Sequence, residues 1–211
     1  MAESEVATLP KNSGGRPVSA RDVHIAKVIQ DDYNEYVADK PVKLARTIKI
    51  KASDKVSIEK IYSDDGVEDI VSNYEGSELE LELNTLSPYE RSMLFGMLYK
   101  DGYLIHSKND VPPQLALGYR SKRLGGKYRF VWYYVGVFGE GLEETLETME
   151  DKLKTQTVTI KGTFYERKKD DRYKNEVDEA FLLAENVSAA EAIKNWFGEV
   201  QEYKENVTIE G

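Results

Sequence analysis

Between Ser77 and Asn84 the chain reads SELELELN, with Leu79, Leu81 and Leu83 alternating with Glu78, Glu80 and Glu82. Successive side chains of an extended strand point to opposite faces, so a period of two held over this length is a strand with one dry side and one wet side. A helix would scatter the same leucines around its circumference. The leucines therefore demand a core beneath a sheet, and the glutamates form a row about 7 Å apart along the strand, twice the strand rise.

Other segments carry the same signal. Asp22–Gln30 places Val23, Ile25 and Ile29 on one face with Ala26 and Val28 on the other, and Thr47–Ile58 sets Ile48, Ile50, Ala52, Val56 and Ile58 opposite Lys49, Lys51, Lys55 and Ser57. Asp54 interrupts the apolar side of the second, which predicts a bend or bulge. Asp64-Asp65-Gly66 has the chemistry of a tight hairpin turn. Gln114–Ser121 and Lys127–Phe138 read as strands joined by a Lys-Arg-Leu-Gly-Gly turn, and the second is apolar on both faces. Such a strand is either central in a sandwich or committed to a partner. Thr155–Tyr165 alternates Val158, Ile160, Gly162 and Phe164 with polar neighbours.

Helices are fewer. Ser87-Pro88-Tyr89-Glu90 is a capping box with proline at the first helical position, which predicts a helix over 88–99 stopped by Asp101-Gly102. Ser188-Ala189-Ala190-Glu191 opens a second, near 189–197, with Ile193, Trp196, Phe197 and Val200 on one face and Gly198 as its stop. Gly139–Leu153 spaces Leu142, Leu146, Met149 and Leu153 helically among six acidic residues, and propensity alone makes it helix. Seven or so strands with outer helices predict a mainly β (α+β) fold, a two-sheet β-sandwich or barrel. There is no Rossmann, P-loop or TIM pattern and no internal repeat.

Composition narrows the function. The 211 residues include no cysteine and only His24 and His106 as imidazoles, which removes most catalytic and metal-binding toolkits. Asp64, Asp65, Glu68 and Asp69 lack the alternate-residue spacing of a calcium loop, and Gly125-Gly126-Lys127 joins strands where a phosphate loop would open a helix. The expectation is no enzyme, no metal and no cofactor. A net charge of -9 argues against a basic nucleic-acid surface. No apolar run reaches membrane-spanning length and Met1–Ala20 lacks a secretory apolar core, so a protein kept in the cytoplasm without a membrane anchor is expected. Residues 1–21, with Pro10, Gly14, Gly15 and Pro17, read as an arm, 22–200 as one domain and 201–211 as a tail. Fourteen tyrosines against six phenylalanines suit strands and interfaces alike.

VPPQLALGYRSKRLGGKYRFVWYYVGVF from Val111 to Phe138, TQTVTIKGTFYERK from Thr155, NWF at Asn195–Phe197, KPVKLA from Lys40 and the YSDDG turn from Tyr62 together carry a resemblance. They resemble the major tail protein family of long-tailed (siphovirus) bacteriophages of Gram-positive bacteria, the subunit of the tail tube. The likeness covers roughly Val23 to Phe197. It departs from the family in having Val158 where proline is expected and a longer entry before Arg21.

The resemblance implies a β-sandwich subunit whose hexameric rings stack into a tube in the virion tail, assembled in the host cytoplasm. It implies a tape-measure protein inside, tail-tip and terminator proteins at the ends, and phage DNA passing through without specific binding. It implies an extended Gly139–Leu153 and, from the matched turn and strands, Tyr62, Asp64, Asp65, Arg120, Trp132 and Tyr133 as subunit-interface residues. With DNA as the cargo, it places Glu78, Glu80 and Glu82 on the lumen, where an acidic wall repels phosphates. Some members add an immunoglobulin-like C-terminal decoration, for which the residues up to Gly211 leave no room. A second reading stays open beside it: a monomeric β-sandwich binding module, for a sugar for example, with Trp132 and Tyr133 exposed on a concave face.

Overall fold

The computed structural model describes residues 15–44, 46–63, 66–144 and 157–203, and in it the alternating leucines Leu79, Leu81 and Leu83 are buried while Glu78, Glu80 and Glu82 are not. Burial of each leucine contributes about 2 kcal/mol, enough to fix the register, because a slip of one residue would exchange the two faces.

The chain is mostly β. In order come β1 (Pro17–Asp31), β2 (Tyr36–Ala38), β3 (Val42–Lys43), β4 (Thr47–Ser63), β5 (Gly66–Leu83), helix α1 (Pro88–Phe95), β6 (Leu98–Lys100), β7 (Tyr103–Ile105), β8 (Leu115–Arg123), β9 (Tyr128–Val137), β10 (Leu142–Glu144), β11 (Val158–Tyr165) and β12 (Lys174–Asp178). Helix α2 (Val187–Ala192) runs into a 3-10 turn over Ile193–Asn195. A large antiparallel sheet has the order β2-β1-β8-β9-β11-β5-β4, with β3, β10 and β12 paired beside it, and β6-β7 form a separate two-stranded sheet. One interior gathers Val23 and Ile25 of β1, Leu115 and Leu117 of β8, Val131 and Tyr133 of β9, the leucines of β5, and Ile160 and Phe164 of β11. Leu94 and Phe95 of α1 join it, giving a curled, sandwich-like sheet with a helix against its core.

β9 is apolar on both faces because both are covered within the chain. Tyr133 and Val131 face that interior, whereas Trp132 and Phe130 pack on the C-terminal helical segment through Trp196. The Trp132 indole N–H donates to the Trp196 carbonyl at 3.0 Å. Two glycines of the sequence string belong to this packing: a Cβ on Gly118 would lie 2.7 Å from the Trp132 ring, and one on Gly136 would lie 2.3 Å from the Phe164 ring. Neither position has room for alanine without displacing an aromatic ring.

Several boundaries differ from the sequence reading. β1 begins at Pro17, so residues 17–21 are sheet, paired Pro17 with Arg123 and Arg21 with Arg120; residues 1–14 of the expected arm lie outside the described residues. The capping box at Ser87 forms, with Glu90 N–H donating to Ser87 Oγ at 3.2 Å and Ser87 N–H donating to Glu90 Oε2 at 2.8 Å. That helix stops at Gly96, at φ 74°, and Asp101-Gly102 turns the β6–β7 hairpin instead. The second expected box does not form: α2 begins after Asn186, which makes no side-chain cap. Leu142–Glu144 is extended and pairs with β11, against helical propensity, while the rest of the segment to Leu153 lies outside the described residues.

The end of the described chain is held by a buried cation. Arg167, 1% exposed, places Nε 2.6 Å from Asp170 and Nη1 2.6 Å from Glu202, with its guanidinium 4.1 Å from the Tyr134 ring centre. Burial opposes the charge, but the bonded Asp170 and the neighbouring Glu202 outweigh it and hold the guanidinium firmly protonated.

Candidate self-association surfaces

β4 and β5 form a hairpin that outruns the body of the protein. Their registers run from Thr47 with Leu83 to Ser63 with Gly66, interrupted by shifts at Thr47/Lys49, Lys55/Val56 and Ile61/Tyr62. The shift at Lys55/Val56 marks the exit from the body. There Asp54, the residue that broke the apolar alternation, accepts from Ser77 Oγ at 2.6 Å and from Lys174 Nζ at 2.9 Å. Burial works to raise the Asp54 pKa, but those two donors bring it below the ordinary carboxylate value. Tyr74 stacks on Tyr173 at 3.9 Å and its hydroxyl meets Ser77 Oγ at 2.7 Å, with burial pushing its pKa up to about 12.

Past this lock, the eight residues Val56–Ser63 and their partners extend about 25 Å at ordinary strand rise. Paired residues share a face, so Val56, Ile58 and Tyr62 of β4 lie with Val67 and Ile70 of β5 on the continuation of the core-facing side. All five are 50–66% exposed. Thus the side that buries Leu79 and half-buries Ile50 continues, uncovered and mainly apolar with Lys60 and Ser72 among its residues, beyond the domain that it helps to build. β4 ends the strand order, and its second edge has no strand partner among the described residues.

The opposite face of the same hairpin carries the glutamates, now with their neighbours. Lys49 and Thr159 flank Glu82, Lys51 and Lys161 flank Glu80, and Ser53 and Thr163 flank Glu78. Lys55 pairs with Glu78, Lys51 Nζ lies 3.9 Å from Glu80, and Thr157 Oγ1 donates to Glu82 at 3.0 Å. The row read from the sequence as bare carboxylates is a mixed-charge lattice, because adjacent strands interleave lysines that strand-by-strand reading cannot see. A depression of about 300 Å³ beside it is lined by charged groups such as Lys51, Glu80, Glu140 and Lys161, without an aromatic ring among the described residues.

The expected interface residues separate into three groups. Tyr62 stands on the apolar stripe, 66% exposed, and Asp64 and Asp65 lie outside the described residues. Arg120 is part-buried, with Nη2 2.6 Å from Asp22 and its guanidinium over the Tyr128 ring. Trp132 and Tyr133, at 0% and 2% exposure, are core residues and cannot meet another subunit or line a sugar groove. The correction is physical: α2 and its 3-10 turn, more than fifty residues downstream, supply the cover that the sequence left to a partner. Sequence reading missed the stripe residues Val67 and Ile70, whose only signal was β-branched residues after the Asp-Gly turn.

A second uncovered patch lies at α1 and the β6–β7 hairpin, where Tyr89, Leu98, Tyr103, Ile105 and Val111 are all exposed. No described helix is long and apolar enough to cross a membrane. A scan of the sequence against protein-family models finds no match, and no curated protein matches it either.

Proposed function

We propose that this chain is a structural subunit that assembles with copies of itself into hexameric rings, stacked as the tube of a bacteriophage tail. The observation that carries self-assembly is the hairpin's uncovered apolar stripe of Val56, Ile58, Tyr62, Val67 and Ile70. A monomer gains nothing from holding five such side chains in water on a projecting arm, whereas a neighbouring subunit gains a ready-made interface core. The open edge of the 17-residue β4 supports the same reading, since an unpaired strand edge is a template for another chain, and its Lys49, Lys51, Lys55 and Lys60 limit indiscriminate pairing.

The tube itself comes from the family resemblance. On this reading the partners are copies of the chain, a tape-measure protein within, tail-tip and terminator proteins at the ends, and DNA in transit. Glu78, Glu80 and Glu82 face the lumen alongside their lysines, and a nearly balanced wall offers phosphates little to bind.

Light scattering after gel filtration, with negative-stain electron microscopy over rising concentration, tests the reading. Rings or tubes are expected, with Val56→Ser/Ile58→Ser/Ile70→Ser abolishing them while leaving the Tm close to wild type. A species that stays at 24.0 kDa at every concentration and shows no ring overturns it.

A further inference from the structure

We infer that the acidic outer part of the β4–β5 hairpin docks on the basic end of the β1–β8–β9 sheet in a second copy of the chain, an inference that rests on the self-assembly reading. Residues 59–69 contain five acids and one base. Of these, Glu59, Glu68 and Asp69 are exposed and have no cation in ion-pair contact among the described residues.

The complementary surface is made by strand register. Pairing of Ser19 with Lys122, Arg21 with Arg120 and Lys122 with Tyr128 brings the start of β1 and the β8–β9 turn to one end of the sheet. Three of the cations there are already matched: Arg120 with Asp22, Arg123 with Asp178 and Arg129 with Glu176. Arg16, Arg21, Lys122 and Lys127 have no carboxylate partner among the described residues. Between them stand Leu124, 69% exposed, and Val18, 54% exposed, apolar surface of the kind the hairpin stripe needs.

A second copy is the occupant because the chain carries both halves. At a net charge of -9, two copies repel unless opposite local charges face each other, and this end of the sheet is where unmatched cations collect. Within one chain the halves do not meet, since the hairpin acids remain exposed. A contact between two different patches of identical chains is head-to-tail, and repeats into a ring or a filament.

Two charge-reversed variants test the docking, Glu59→Lys/Glu68→Lys/Asp69→Lys on the hairpin and Arg21→Glu/Lys122→Glu/Lys127→Glu on the sheet end, each checked by circular dichroism for an unchanged fold. Each alone should raise the concentration for half-assembly at low salt by about tenfold or more, because like charges then face each other. An equimolar mixture should recover assembly, as every contact in an alternating ring again joins opposite charges. If wild type assembles and the reversals change nothing, or the mixture fails to recover, the docking is wrong while self-assembly stands. If wild type itself stays monomeric, the self-assembly reading falls and this inference with it.

Discussion

His24 shows how one side chain ties distant parts of the fold together. Its ring lies nearly flat on Phe197, with centres 4.2 Å apart, and Nδ1–H donates to the Asp22 carbonyl at 2.8 Å. Burial lowers its pKa below 6.5, with Lys43 and Arg120 adding to the effect and Asp22 opposing it. The folded state therefore prefers the neutral imidazole, whereas the unfolded chain takes up a proton near pH 6.5. This contribution to stability is complete above pH 6.5 and is lost as the pH falls through the lowered folded value. An NMR titration should find the His24 midpoint below 6.5, and His24→Phe should flatten the dependence of Tm on pH in that window. A midpoint at or above 6.5 contradicts the argument. The carboxylates act lower on the scale: Arg167 beside Asp170 holds its pKa under the ordinary value, so the stability it adds is present above about pH 4 and disappears in stronger acid.

At the level of elements, legibility followed burial. The Leu79–Leu83 strand and the two-sided β9 were readable because one or both faces meet a core, which selects a period. Residues 59–63 and 66–73 were not readable as strand, because both faces of the outer hairpin meet water and no alternation is enforced. β12, a five-residue polar strand, gave no signal for a similar reason. The stop of α1 was placed too late since Met97, Leu98 and Tyr99 continue an apolar helical spacing. The true stop is Gly96, where a Cβ would lie 2.1 Å from the Val111 carbonyl oxygen and the backbone is left-handed. Gly96→Ala should cost about 2 kcal/mol or more, the left-handed strain plus the displaced Val111 segment, and lower Tm by roughly 4–8 °C. Thermal unfolding by circular dichroism checks this, and a Tm within about one degree of wild type would contradict it.

For the whole molecule, the charge pattern matters more than the net charge. The family resemblance assigns Glu78, Glu80 and Glu82 to an acidic wall, whereas strand alternation alone places them only on the face opposite the leucines, whether lumen or outer surface. Cross-strand pairing surrounds them with Lys49, Lys51, Lys55 and Lys161, so the face is close to neutral and its charges hold three strands together. Replacing all three glutamates by lysine should therefore destabilise the subunit by about 1–2 kcal/mol at low salt, partly relieved at high salt, with glutamine milder. Urea unfolding at two ionic strengths measures the effect, and a lysine variant as stable as the glutamine one would show the lattice to be inert.

The two tryptophans of the chain, Trp132 and Trp196, both sit at one seam, joined by the indole-to-carbonyl bond. Intrinsic fluorescence excited at the indole band thus reports on the docking of the C-terminal helical segment, and the projecting hairpin is dark to it. Loss of that seam should move the emission to longer wavelength. Subunits joining through their hairpins should leave the spectrum unchanged, so a single optical signal distinguishes a protein that is unfolding from one that is polymerising.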